Sequence, residues 1–232
     1  MLRLDTDGFV QGTIIQADVD TVREFAFVCG DGAPWPSAGQ RIDNLPTMSR
    51  IALTESDVLQ EFYVVKHDYE NSGRTLLLRR YIHSERQWHS SNVNAYATCD
   101  LDAWFNGDYF NSLPADIQGQ IAAVSIPYTP GNGNTALSSI SRKVFAVSAT
   151  ELGHSSGNMN VEGTALANAA DLKIALDMSG NATSQWTRSP HTSYTTSAWH
   201  LHSGGYLDNN YCTNTYGARP AFTLPADTLV SL

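Results

Sequence analysis

Lysine is scarce in this sequence: Lys66, Lys143 and Lys173 are the only three in 232 residues, and no basic run exists. The formal net charge is −9. Neutralising a phosphate backbone or an anionic lipid surface takes clustered Lys and Arg, so neither nucleic acid nor membrane is an expected partner. Apolar runs of membrane-spanning length are missing too. The opening residues, Met1-Leu-Arg-Leu-Asp-Thr-Asp-Gly8, lack the apolar core of a secretion signal, so folding in a cytoplasm is expected. Cysteine is limited to Cys29, Cys99 and Cys212, an odd number, far apart and without C-x-x-C spacing. That pattern builds neither a disulfide framework nor a zinc site. A hydrophobic content of 42% is nevertheless enough to bury a core, in one domain with an extension or in two small ones.

Residues 1–36 read as a β-rich segment. Phe9-Val10, Thr13-Ile14-Ile15 and Phe25-Ala26-Phe27-Val28 are short apolar runs, closed by the Gly/Pro cluster Gly30–Pro36. Residues 37–232 form the second unit. There Phe62-Tyr63-Val64-Val65 and Thr75-Leu76-Leu77-Leu78-Arg79, joined through Asn71-Ser72-Gly73, predict a hairpin. Leu101, Trp104, Phe105 and Phe110 fall at helical spacing behind Thr98 or Asp100 as a cap. A second short helix is expected from Pro114 through Ile117 and Ile121. Lys143–Ser148 reads as a strand, and a helix fits within 165–178. Two small helices among many short strands make an α+β domain.

The residues from His191 to Thr215 contain one charged side chain, Asp208. The rest is Tyr, Trp, His, Ser, Thr, Asn and Gly with a few small apolar residues. Such mixtures are common in plain loops. Four large aromatics (Tyr194, Trp199, Tyr206 and Tyr211) with three histidines are more than a plain loop needs. Rigid aromatics supply contact area and small polar residues supply adaptable hydrogen bonds, which is the composition of a recognition surface. The expected binding residues are therefore His191, Ser193, Tyr194, Thr195, Thr196, Trp199, His200, His202, Tyr206, Asp208, Asn209, Asn210, Tyr211, Thr213 and Asn214. Trp199 shares strand parity with Leu201, which places it toward the core and His200 and His202 outward. Trp186, Arg188, Arg219 and Pro220 flank the stretch and read as its structural frame.

Other candidate chemistry is weaker. Gly153-His154-Ser155-Ser156-Gly157 has the G-x-S-x-G form, but neither a strand directly before the serine nor a helix after it is indicated. His200 and His202 could share a strand face, yet no third metal ligand stands near them. Asp5-Thr6-Asp7-Gly8 opens like a calcium loop but lacks its later carboxylates. No catalytic residue, metal or cofactor is expected.

Trp186-x-Arg188-Ser189-Pro190, a variable stretch containing Ala198 and Gly204, and then Gly217-x-Arg219-Pro220-Ala221 together resemble the ending of C-type lectin-fold domains of phage and gut-bacterial proteins. Several of these are the variable proteins of diversity-generating retroelements. Asn44-Leu45-Pro46, Tyr81-Ile82, Trp104-Phe105-Asn106, Lys143-Val144-Phe145, Ser148–Gly153 and Leu224–Ser231 extend the likeness over about residues 42–231. The resemblance implies a C-type lectin-like fold, with residues 191–214 displayed over a rigid sheet. It implies a receptor-recognition protein of a phage tail that assembles in the cytoplasm and leaves with the virion, and whose ligand is a bacterial cell-surface protein or glycan. It also implies a homo-oligomer, by analogy a trimer, with residues 1–36 serving assembly or attachment. Adenine-directed mutagenesis of Asn-type codons yields the Asn, Tyr, Ser, Thr, His and Asp mixture. Trp is not reachable that way, so Trp199 is fixed or lies outside the programmed positions. Neither Glu-Pro-Asn nor Gln-Pro-Asp, the signatures of calcium-dependent sugar binding, occurs. The alternatives are a formylglycine-generating-type enzyme of the same fold, which would need Cys99 and Cys212 as its active pair, and a bacterial surface adhesin.

Overall fold

Short apolar runs between turn residues form most of the chain's regular structure. The computed structural model describes residues 40–230, together with the pairing of Arg3–Leu4 with Val10–Gln11. The expected strands at residues 13–15 and 25–28, the acidic turn at 5–8 and the 30–36 boundary lie outside the described residues. Ten strands carry the architecture. In chain order they are β1 (Arg50–Glu55), β2 (Val58–Lys66), β3 (Arg74–Arg79), β4 (Ser84–Gln87), β5 (Val144–Phe145), β6 (Gln185–Pro190), β7 (Ser197–Leu201), β8 (Leu207–Tyr211), β9 (Thr215–Ala218) and β10 (Ala221–Pro225). One sheet has the order β5-β10-β3-β2-β1 and the other β8-β7-β6-β9-β4. All neighbours are antiparallel except β6 and β9, which meet in parallel at Gln185 and Gly217. The architecture is mixed α+β, mostly strands.

The expected hairpin is present: Phe62 faces Arg79 and Val64 faces Leu77 across β2 and β3. Leu76, Leu77 and Leu78 are all fully buried, so β3 is covered on both faces, as an uninterrupted apolar run requires. A 13-residue helix packs beside this sheet, running through Asp100–Trp104, a π-helical turn at Phe105–Tyr109 and Phe110–Ser112. Its N-cap is Cys99, not Thr98 or Asp100, and Cys99 Sγ accepts the Asp102 N–H at 3.3 Å. The second short helix spans Ala115–Gln120. The helix expected within 165–178 is one turn, Ala169–Leu172. Leu166, Ala169 and Leu172 are buried at helical spacing, but the chain turns extended because Ala175–Leu176 pairs with Ala182–Thr183.

Two links close the structure. Gln40–Arg41 pairs with Leu229–Val230, so the two ends of the described chain meet. Arg79 in β3 forms a buried ion pair with Glu55 at 2.9 Å and donates to Gln60 Oε1 at 2.6 Å, while Tyr109 of the long helix donates to the same Glu55. This joins sheet and helix through polar groups whose hydrogen bonds are completed within the protein.

Gly217 marks the closest backbone approach in the second sheet. A Cβ there would lie 2.8 Å from the Ser184 carbonyl oxygen and 2.7 Å from Ile82 Cδ1. Gly119 sits in the Ala115–Gln120 helix with nothing within 4 Å of such a Cβ. Gly217→Ala is therefore expected to destabilise by about 1–3 kcal/mol through overpacking. Gly119→Ala should stabilise by roughly 0.4–1 kcal/mol through reduced freedom of the unfolded chain. Urea midpoints of the two variants against the parent check both signs.

Candidate functional site

All six residues of β6 are buried, Trp186 and Arg188 among them. Arg188 is the centre of a buried polar cluster. Its Nη1 donates to Glu151 Oε2 at 2.6 Å and to the Ala146 carbonyl at 3.0 Å, and its Nε donates to the Pro127 carbonyl at 2.9 Å. Glu151 also accepts Tyr69 Oη at 2.5 Å and the Ser148 N–H at 2.8 Å. A second carboxylate, Glu162, accepts the Thr129 N–H at 2.6 Å and the Ser189 hydroxyl. Burial raises the Glu162 pKa and outweighs the opposing pull of Arg188. The carboxylate beside it holds Arg188 charged against its own desolvation.

Arg219 behaves differently, because no carboxylate neutralises it. It donates to the carbonyls of Arg79 at 2.7 Å and Leu172 at 3.3 Å, and burial lowers its pKa to about 10. Arg219, between β9 and β10, thus ties β3 to the Ala169–Leu172 turn through main-chain acceptors. Trp186 donates from its indole to the Arg86 carbonyl at 2.8 Å, and Pro220 is buried beside Arg219.

The stretch between the frame residues divides in two. β7 is an inner strand, flanked by β6 and β8, and all five of its side chains are buried. The expectation of an outward His200 fails here. His200 stands opposite Trp186 across the β6–β7 pair and stacks on Tyr216 at 4.1 Å. Both its ring nitrogens lack partners, and burial lowers its pKa. Trp199 is buried on the other face, and its indole donates to the Asn158 carbonyl at 3.2 Å. His191 is buried as well, stacked between Tyr194 at 4.4 Å and Trp199 at 4.9 Å. These three aromatic rings support the surface from beneath rather than forming its exposed contacts. β7 is packed on both faces as well as paired along both edges, so parity directs none of its side chains to water.

The exposed part lies on the edge strand β8 and on the loops beside it. Tyr194, Tyr206 and Tyr211 are 60%, 52% and 56% exposed. Tyr194, Thr196, Ser197, Asn209, Asn210 and Tyr211 line an open groove of about 330 Å³ with no ionised side chain in its wall. Ser193, Thr195 and Asp208 are exposed, whereas Thr213 and Asn214 are half-buried in the turn after β8. Tyr206 stands at the other end of the five-residue strand, stacked on His202 at 4.5 Å. Gly205 makes that turn possible, with φ of +80° and a close approach to Ile174.

The free edge of β8 is self-capped. Asp208 Oδ1 accepts the Asn209 N–H at 2.8 Å, and Asn210 Oδ1 accepts the Tyr211 N–H at 2.9 Å. With those donors occupied the edge is a poor template for another strand.

Sequence reasoning missed two residues. Asn94, fully buried, donates from Nδ2 toward the carbonyls of His191, Tyr194 and Ser197 at 2.8–2.9 Å and clasps loop 191–196. Asn158 accepts the Thr192 N–H and the Trp199 indole on its carbonyl, and the Ser193 hydroxyl on its side chain. Both lie in polar segments whose composition carries no signal of such a role. Gly153-His-Ser-Ser-Gly157 lies in irregular chain with no strand leading into Ser155 or helix leaving it. Cys99 and Cys212 are buried thiols, and burial raises both pKa values, that of Cys212 to about 12. Neither is a thiolate at neutral pH, as a reactive cysteine must be.

Frame and surface should separate in stability. Arg188→Ala strips Glu151 of its buried counter-charge and is expected to cost about 3–5 kcal/mol. Tyr194→Ala, at the exposed surface, should stay within about 0.5 kcal/mol of the parent. Denaturant titration of both variants measures the contrast.

No curated protein and no solved structure matches the chain. Residues 72–226 match the family model described as a domain of unknown function, DUF6273. The match takes in β3 to β10, and with them Arg188, Glu151, Arg219 and the whole surface. It covers more than half of the chain, so the protein belongs to the DUF6273 family.

Proposed function

We propose that this protein is a non-enzymatic recognition protein, built on a C-type lectin-like fold, that binds a bacterial cell-surface protein or glycan through residues 191–214. The single observation that carries the reading is the groove between Tyr194 and Tyr211. Two half-exposed tyrosines flank hydroxyl and amide groups, and no ionised side chain lines the wall. Such a surface favours a neutral, hydrogen-bonding partner over a polyanion. Its backing is rigid, because loop 191–196 is clasped by Asn94 and Asn158 and rests on stacked rings. Little conformational entropy is then lost on binding. The role is that of a phage-tail component, virion-borne after cytoplasmic assembly, or of a bacterial surface adhesin. It needs no metal or cofactor.

Labelled full-length protein titrated onto intact cells of a panel of bacterial strains tests the reading. Saturable binding to some strains is expected, with Tyr194→Ala and Tyr211→Ala each weakening it roughly 30-fold, about 2 kcal/mol per anchor. Binding unchanged by both substitutions would sink the assignment.

A single shallow surface gains affinity when several copies act together, by about 10²–10⁴. A homo-oligomer, by analogy a trimer, is therefore expected. Light scattering should give a multiple of the 25.3 kDa chain mass, and a monomer at high concentration contradicts it.

A further inference from the structure

Tyr194, one wall of the groove, is mounted on a histidine in an unusual way. His191 is 3% exposed, with its ring sandwiched between Tyr194 and Trp199. Two backbone N–H groups of the same loop converge on one ring nitrogen. Ser193 N and Tyr194 N lie 3.1 and 3.0 Å from His191 Nδ1. Both are donors, so Nδ1 carries a lone pair and the ring proton resides on Nε2. The loop is thus closed by a neutral imidazole. The arrangement recurs at the second exposed tyrosine: His202 stacks on Tyr206, and its Nδ1 accepts the Gly204 N–H at 3.1 Å.

We propose that His191 is an acid-operated latch. Neutral, it holds loop 191–196 and Tyr194 in the binding position; protonated, it releases them. A proton on Nδ1 turns the acceptor into a third donor facing the other two, and no nearby group can take it up. The groups that meet this loop are Ser193 and Tyr194 from the loop itself, Ser197 and Trp199 from β7, Asn94, Asn158, Cys212 through its N–H on the Thr196 carbonyl, and Asn209, Asn210 and Tyr211 across the groove. No carboxylate, Lys or Arg is among them, and the titratable side chains are Tyr194, Tyr211 and the thiol of Cys212. No carboxylate among them stabilises an imidazolium, and burial alone holds the His191 pKa below its ordinary value. The sign follows. With the loop open, His191 meets water and binds a proton at about pH 6.5, more readily than when closed. Acid therefore favours the open loop from about that pH downward, and the closed loop is complete above it. Whole-protein stability does not report this. Burial raises the carboxyl pKa of Asp102, to about 6, and that of Glu162, which acts in the opposite direction.

That the latch governs ligand release rests on the proposed binding role; the latch itself is measured without ligand. On the full chain, long-range ¹H–¹⁵N spectra report the His191 tautomer and titration, and backbone amide spectra follow Ser193 and Tyr194 from pH 8 to 5. The expected result is the Nε2–H tautomer at pH 7.5 and a midpoint below 6.5 shared by the ring and both amides. The hydrogen-bonded shifts of Ser193 and Tyr194 are then lost while those of β6 stay fixed. His191→Asn offers a non-titrating acceptor near the Nδ1 position and should keep both amide shifts across the range. An Nδ1–H tautomer, a ring that titrates without moving the two amides, or an unchanged transition in His191→Asn overturns the latch. Should the variant not fold, the parent's tautomer and shared midpoint still decide. If cell binding persists unweakened at pH 5, the link to release falls while the binding role stands. If no strain is ever bound, the binding role falls and the titration result remains.

Discussion

A guanidinium buried away from water is tolerable only where its charge and most of its hydrogen bonds are answered, and Arg188 has both from segments far apart in sequence, with Nη2 alone left without a partner. Pro127, Ala146 and Glu151 contact it directly, and Tyr69 and Ser148 reach it through Glu151. Ser189, the next residue of β6, binds Glu162, which in turn fixes Thr129. Val124–Tyr128 pairs with Ser138–Arg142, but residues 146–163 form no ladder, so for them these bonds take the place of sheet pairing. Removing either charge leaves the other buried and unpaired, and for this reason the cluster sets the position of β6. The strands that carry the exposed tyrosines and the groove are built outward from that strand.

The surface inherits its order from β6 in two steps. β7 pairs on β6 and is covered on both faces, so Trp199 and His200 become supports. β8 pairs on β7 at the rim of the sheet, where neither face is fully covered, and Tyr211 and Asp208 meet water. Aromatic stacking continues the same logic sideways, with Tyr194 on His191, Tyr206 on His202 and Tyr216 on His200. A tyrosine seated on a histidine ring is held in place without needing a charged neighbour. This accounts for a stretch that is poor in charge and still fixed in shape.

Much of this was legible in the sequence because it depends on local pattern. The Leu76–Leu78 run, the hairpin of β2 and β3 and the spacing of Leu101, Trp104, Phe105 and Phe110 each announced an element. The enrichment of Tyr, Asn and Thr between Trp186 and Arg219 marked the stretch that forms the edge hairpin. What stayed hidden depends on neighbours that sequence order does not reveal. Two-residue alternation places Trp199 and His200 on opposite faces, but that both faces of β7 are covered depends on what packs over the sheet, Asn158 at Trp199 and Tyr216 against His200. Asn94 lies about a hundred residues from the loop it clasps, and Glu162 reaches Ser189 from an irregular segment. A buried amide and an exposed one are written with the same letter.

The central claim is that frame and surface are separate: β6 and its buried charges hold the fold, and the exposed side chains of 193–211 are free to vary. Replacing Tyr194, Thr195, Tyr206, Asp208 and Tyr211 together with serine, and measuring thermal unfolding and cell binding on the same preparation, tests it most directly. The account predicts a melting temperature close to the parent's with binding abolished. A protein that unfolds, or one that binds as before, would contradict it.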